Sequence, residues 1–268
     1  AALPLDLGTL LQARLDRLGD KARTVAQALS ICDAPMGVDA VSAMTGLPAP
    51  ALAPALAGLC EDGLAARRVA NGALLFNLVR PAHAERLRQT MPQDVLARLH
   101  RALGEHLEAK GAGLMEGGEA HLAEHFLAAG DGVQGVAYAL SASERLTVTH
   151  AYGAAIDLLT RALPLAGRLE DRQAILSRRA ELHQLRGALL DALRDAGRAK
   201  ALFPVAERGP HYRKLGELLT ETGRPRVAVR QLERALGLLR DGPEGNAELG
   251  YAQAALAEAH YVAGDRDA

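Results

Sequence analysis

The sequence has no tryptophan and only three phenylalanines and five tyrosines in 268 residues, so its core must be built from aliphatic side chains. Hydrophobic residues still make up 49% of the chain, mostly alanine and leucine, and cores of small residues suit helices that approach closely. Cysteine is scarce too. Cys32 and Cys60 are too few for a disulfide framework and lack the paired spacing of a metal site, so both read as reduced core residues. An excess of either charge is also missing: 31 Lys plus Arg face 32 Asp plus Glu, and a net charge of −1 gives no overall field to draw nucleic acid or an anionic membrane. No apolar run reaches the ~18 residues of a membrane span, and no basic stretch precedes an apolar one at the N-terminus. No membrane segment and no signal peptide are therefore expected, and a cytoplasmic location is. The chain starts without Met and stops at AGDRDA, in what reads as a repeat turn, so a piece of a longer protein is expected.

Catalytic signatures are equally sparse. There is no GxxxxGK[ST] loop, no nucleophile elbow and no carboxylate pair on a loop scaffold, so neither catalysis nor a cofactor is expected. Gly130-Asp131-Gly132-Val133-Gln134-Gly135 matches the dinucleotide pattern GxGxxG. That pattern needs a strand before it, and here the helical run HLAEHFLAA precedes it, which makes Gly130 a helix turn instead. His121 and His125 are spaced i, i+4. A zincin site would need Glu where Leu122 stands, and a third ligand is missing, so these are expected to face solvent or cap a neighbouring helix, with no metal bound.

What the chain does hold is helical periodicity. Leu7, Leu10, Leu11, Leu15 and Leu18 predict a helix over 6–19 with Asp6 as its cap, and further helices are expected over 22–32, 38–44 and 51–61, with a turn at Pro35-Met36-Gly37. The period then changes. LAARRV, Asn71-Gly72 and ALLFNLV read as a β-hairpin, because Asn-Gly readily takes the positive φ angles of a tight turn. Helices followed by a two-stranded ribbon is the order of a winged helix. In that fold the helix before the hairpin reads DNA, but ALAPALAGLCEDG has no Lys or Arg, and only Arg67 and Arg68 on the hairpin could meet phosphates. DNA binding by this domain is the alternative reading, and a structural role is preferred. Beyond Arg80 the chain is helical, with helices expected from Pro81 to Thr90 and from Gln93 to Lys110, then the glycine-rich linker GAGLMEGG.

From residue 118 on, apolar and small residues recur around turn glycines. The sets are Leu122, Ala123, Phe126, Gly130, Ala139 and Ala142; Leu176, Ala180, His183, Gly187, Ala192, Ala196 and Ala199; Tyr212, Leu215, Gly216, Leu219, Gly223, Ala228, Leu232 and Ala235; and Leu256, Ala257, His260 and Gly264. Between Gly130 and Gly187 the register is crowded. Ala155, Leu159 and Ala162 fit the second helix of a further unit whose first helix overlaps the unit before, so one long helix is expected to serve two units.

If Ala180, Gly216 and Ala257 are equivalent helix-crossing residues, the next position is Glu181, Glu217 and Glu258. In stacked repeats that position faces the concave groove, joined by Ser177, Gln184, Arg213, Thr220 and Tyr261. This stripe is the expected binding site for a basic or mixed-charge protein segment.

The spacing from Tyr212 to Ala235 resembles the tetratricopeptide repeat, with Tyr212 in place of the usual Trp. That resemblance implies a right-handed superhelix of helix pairs with a peptide-binding concave face. The larger arrangement resembles the C-terminal part of bacterial signalling ATPases of the STAND class, including the maltose-regulator type and kinase-fused versions. The matching stretches are LLQARLDRL (10–18), LLFNLV (74–79), RLHRALGEHLEAKG (98–111), LAEHFLAAGD (122–131) and AIDLLTRAL (155–163). It implies a sensor region whose partner is a protein or peptide, or the NTPase or kinase module of the same parent chain. The expected architecture is mainly α: a winged-helix domain over 1–80, connecting helices and linker over 81–117, and tetratricopeptide-like repeats over 118–268.

Overall fold

The computed structural model describes residues 13–14, 17–32, 34–70, 72–115, 117–240 and 245–264. The helix expected over 6–19, Asn71 of the hairpin turn and most of the Asp241–Gly245 loop lie largely or wholly outside them. The fold is mostly helical, and the chain divides into two compact units, 1–131 and 132–268.

The first unit holds α1 (Asp20–Leu29), β1 (Met36–Gly37), α2 (Val38–Thr45), α3 (Ala49–Glu61), β2 (Ala65–Ala70), β3 (Ala73–Leu78), α4 (Pro81–Thr90), α5 (Gln93–Ala109) and α6 (Gly118–Ala128). The hairpin forms in the expected register, Ala70 opposite Ala73, with Gly72 at a φ of 74° closing the turn. A third strand was not expected. Met36 and Gly37, read from the sequence as part of a turn, pair with Phe76 and Leu75 of β3, giving an antiparallel sheet in the order β1-β3-β2. Two residues are too few to show a period of two, so only the partner strand defines them.

Buried Val25, Leu29, Val41, Leu52, Leu56, Leu59 and Phe76 form the core of this unit, and Leu87 of α4 with Leu99 and Leu103 of α5 extend it. The connecting helices thus belong to the first unit, and the division falls after Asp131 rather than near residue 117. Gly104 of α5 explains the contact with α6: a Cβ there would lie 3.2 Å from the Phe126 ring. Cys32 and Cys60 are half-buried at the edge of the same core, and neither forms a disulfide.

The second unit contains α7 (Gly132–Val148), α8 (Tyr152–Ala162), α9 (Leu169–Leu185), α10 (Leu189–Leu202), α11 (Gly209–Glu221), α12 (Pro225–Arg240) and α13 (Gly245–Ala263). They pack as helix pairs α7–α8, α9–α10 and α11–α12, with α13 laid on both α11 and α12. Ala228, Leu232, Ala255 and Ala259 make one layer of this core, and Ala235, Leu236, Leu239 and Ala252 the next. Gly216 lets α11 and α12 meet, since a Cβ on it would fall 2.4 Å from Cγ of Leu232.

The turn of the first pair is at His150, whose φ is 58°, against 81° at Gly187 and 73° at Gly223. At each of these turns the next N–H reaches back five residues: Ala151 to Leu146, Ala188 to His183 and Arg224 to Leu219, all at 2.8 Å. With His150 set beside Gly223, the repeat sequence Leu215, Gly216, Leu219, Ala228, Leu232, Ala235 aligns with Ala142, Ser143, Leu146, Ala155, Leu159 and Ala162. The crowded stretch therefore contains a full helix pair, with α7 as its first helix. Buried Ser143 occupies the small crossing position, its hydroxyl donating to the Leu140 carbonyl at 2.7 Å.

Candidate partner-binding groove

The first helices of the pairs, α7, α9 and α11, and then α13, place Glu144, Glu181, Glu217 and Glu258 at one register position, immediately after Ser143, Ala180, Gly216 and Ala257. Ser143, Ala180 and Gly216 are buried under the second helix of their pairs. Ala257 is exposed, because among the described residues no helix follows α13 to cover it. Glu144 and Thr147 extend the expected stripe by one pair. Their signal was present in the sequence but keyed to a histidine turn instead of a glycine.

The stripe is not a row of four free carboxylates. On α9, Arg178 donates to Glu181 at 2.9 Å and also to the Thr147 hydroxyl of α7 at 2.9 Å, tying those two helices. Between α9 and α11, Gln184 accepts from Lys214 and donates to Glu221. Arg213 of α11 donates to Glu217 one turn on and to Glu248 of α13 at 2.8 Å and 3.3 Å, with its guanidinium 5.7 Å from the centre of the Tyr251 ring. Burial opposes the charge of Arg213, but the Glu248 and Glu217 carboxylates outweigh it and hold its pKa above the ordinary value.

Of the expected site residues, Gln184, Arg213 and Glu217 thus join neighbouring helices or brace the residue that does. Thr220 donates its hydroxyl to the Gly216 carbonyl at 3.1 Å within its own helix, and Ser177 is half-buried on α9. Glu258 and Tyr261 stand on the exposed face of α13, Tyr261 with 83% of its surface open. Arg178, Lys214, Glu221 and Glu248 were not expected from the sequence. They sit off the repeat register, and side-chain partners 30 to 37 positions apart leave no local pattern.

Away from the groove, α9 and α10 enclose a buried ion cluster. Asp195, 2% exposed, lies 2.9 Å from Arg179, 3.5 Å from Arg198 and 3.7 Å from Nε2 of His183. Burial lowers the His183 pKa despite the Asp195 charge beside it. In the first unit, Nδ1 of His100 on α5 sits 3.0 Å from Nδ1 of His125 on α6. Burial brings both pKa values down to about 4, and for His125 the His100 charge adds to it. His121 is exposed and His125 buried, so the i, i+4 pair does not share one environment. Among the described residues no three His, Cys, Asp or Glu side chains come together as metal ligands.

The GxGxxG stretch resolves into separate structural roles. Gly130 is a left-handed turn with φ of 70° following helix α6, Gly132 lies where a Cβ would be 2.2 Å from the Leu165 carbonyl oxygen, and Gly135 is buried on α7. Among the described residues no single helix is long and apolar enough to cross a membrane.

The helix pairs of the second unit, their shared turn geometry and the small residues at their crossings define a helical-repeat fold built of tetratricopeptide-like pairs. No protein-family model matches the chain, and no curated protein matches it. Among solved structures it is similar to a Signal Transduction ATPase with Numerous Domains (STAND) protein with a tetratricopeptide repeat sensor from Pyrococcus horikoshii. The match has a TM-score of 0.53 at 13% identity and covers 98% of this chain and 38% of that one, so the chain spans little over a third of that protein's length. At this identity the likeness concerns the fold.

Proposed function

We propose that this chain is a non-catalytic sensing or docking region of a larger signal-transduction protein, and that it binds a protein segment along the first helices of its repeats. The observation behind this reading is the single register position shared by Glu144, Glu181, Glu217 and Glu258 on successive elements, flanked by Arg178, Arg213 and Lys214. A groove lined by both signs of charge at a fixed repeat suits an extended segment of mixed charge, which it orients through complementary contacts. The fold likeness to a STAND protein with a repeat sensor supports the same reading, with the NTPase or kinase module supplied by the parent chain. In that arrangement the first unit takes the place of a winged helix that packs rather than reads DNA, and the protein works inside the cell.

The test is affinity capture from the source cell with the full chain as bait, comparing the wild type with Glu144→Lys/Glu258→Lys and with Glu233→Lys on the outer face of α12. The reading requires a protein captured by the wild type and by Glu233→Lys but lost with the double variant. Capture unaffected by reversal of both groove charges would remove it.

A further inference from the structure

The second helix of the last complete pair has an outer face unlike any other in the unit. Arg226, Arg230 and Arg234 of α12 follow one another at i, i+4 and i+8, all exposed, with Arg224 just before the helix and Arg240 at its end. Successive members are about 6 Å apart along the axis and turned by about 40° around it, so the three side chains leave the helix along a gently winding row about 12 Å long. The opposite face buries Ala228, Leu232, Ala235, Leu236 and Leu239, which fixes the row outward. Among the described residues none of these five guanidinium groups is held in an ion pair or hydrogen bond, and Glu233 is the one carboxylate on the helix.

The contrast with α10 isolates the feature. Its residues at the registers of Arg230 and Arg234 are Arg194 and Arg198, and each is neutralised locally, by Asp191 at 2.7 Å and Asp195 at 3.5 Å. On α12 the positions of those two aspartates are taken by Val227 and Gln231, and the arginines remain. A net charge near zero for the whole chain does not remove such a patch, because exposed charges act over roughly a Debye length of 10 Å.

We infer that the α12 face binds the phosphate backbone of double-stranded DNA without reading its sequence. Guanidinium groups match phosphate oxygens in a two-pronged geometry, and a duplex offers phosphates in regular, dense succession. The face has no aromatic or large apolar residue in the row, so it lacks both the stacking platform that single strands require and the apolar anchor that a protein interface is built on. This surface is separate from the groove on the first helices and from Arg67 and Arg68 on the hairpin, so its test stands apart from theirs.

The measurement is fluorescence anisotropy of a labelled mixed-sequence duplex titrated with the full chain at several salt concentrations. Three phosphate contacts at about 0.9 each predict a slope near −2.7 in log affinity against log salt, or about a 40-fold loss for a fourfold rise in salt. The variant Arg226→Gln/Arg230→Gln/Arg234→Gln should lose at least tenfold in affinity at low salt and flatten that slope while keeping its circular dichroism and melting curve. The triple Arg→Lys variant, which keeps the charge, should retain most of the slope. The inference is overturned by any of four results: no binding at low salt, binding unaffected by the glutamine variant, loss caused instead by Arg67→Glu/Arg68→Glu, or equal binding to polyglutamate or to anionic vesicles.

Discussion

His150 holds the backbone in the left-handed conformation that Gly223 holds two turns later, with φ of 58° and 73°. The chain closes both turns with the same five-residue hydrogen bond, although a side chain at His150 carries a steric cost of about 1–2 kcal/mol that glycine avoids. A hydrogen bond of 2.7 Å between His150 Nδ1 and the Tyr152 hydroxyl accompanies the strained position. Gly223→Ala should therefore lower stability by about 1–2 kcal/mol, while His150→Gly should be neutral or stabilising by up to about 1 kcal/mol. Urea unfolding of both variants checks this. A His150→Gly variant less stable than the wild type by more than about 1 kcal/mol would show that the Tyr152 contact outweighs the backbone strain.

The crossing of α11 and α12 is set by one missing methyl group. Gly216→Ala should destabilise by about 1–3 kcal/mol through overpacking against Leu232, and Leu232→Ala by about 2–5 kcal/mol through the cavity it leaves. Because each change relieves the other, the double variant should be more stable than the sum of the two predicts. A strictly additive cycle would mean that Gly216 and Leu232 do not compete for the same space.

Asp195 and Arg198 differ in burial, and their variants should differ accordingly. Removing Asp195 leaves the guanidinium of Arg179, 13% exposed, without its carboxylate, and Asp195→Ala should cost about 3–5 kcal/mol. Arg198 is 53% exposed, and Arg198→Ala should stay within about 1 kcal/mol of the wild type. Equal effects in thermal or urea unfolding would contradict a buried role for Asp195.

The His100–His125 pair predicts an acid-sensitive first unit. Both imidazoles have folded pKa values of about 4, below the ordinary 6.5, so above pH 6.5 they are neutral folded or unfolded and stability is at its full value. As the pH falls from 6.5 toward 4, the unfolded chain takes up protons that the folded one does not, and stability declines. Nuclear magnetic resonance titration should show neither ring protonating above pH 5, and His100→Gln/His125→Gln should flatten the decline. An imidazole that titrates near 6.5 in the folded protein would refute the burial of the pair.

Much of this architecture was legible in the sequence, because its helices and hairpin are local and periodic. The leucine spacing of α5, the expected 81–90 bounds of α4 and the strands either side of Gly72 follow from periods of 3.6 and 2 within single segments. The turn glycines 187 and 223 marked two helix pairs because few other residues take that conformation without strain. Where another residue took it, at His150, the register of the preceding pair was hidden, along with the place of Glu144 and Thr147 in the stripe.

What only the tertiary structure decided involves partners far apart in the chain. Met36 and Gly37 become a strand because Phe76 and Leu75 lie alongside, and His125 is buried because His100 arrives from another helix. Glu181 and Glu217 looked like free acids in the sequence. They are ion-paired within their own helices, to Arg178 three residues before and Arg213 four residues before, and the tertiary structure adds the reach of those arginines to Thr147 and Glu248 on neighbouring helices. The sequence by itself determined which faces of the helices are apolar, since burial there is the dominant favourable contribution and repeats with the helix. Which charges remain free for a partner depended on side-chain pairing both within and across helices, where each contact is worth little and spacing alone does not select it. That pairing leaves Glu144 and Glu258 open at the shared register position and Arg226, Arg230 and Arg234 open on the outer face of α12.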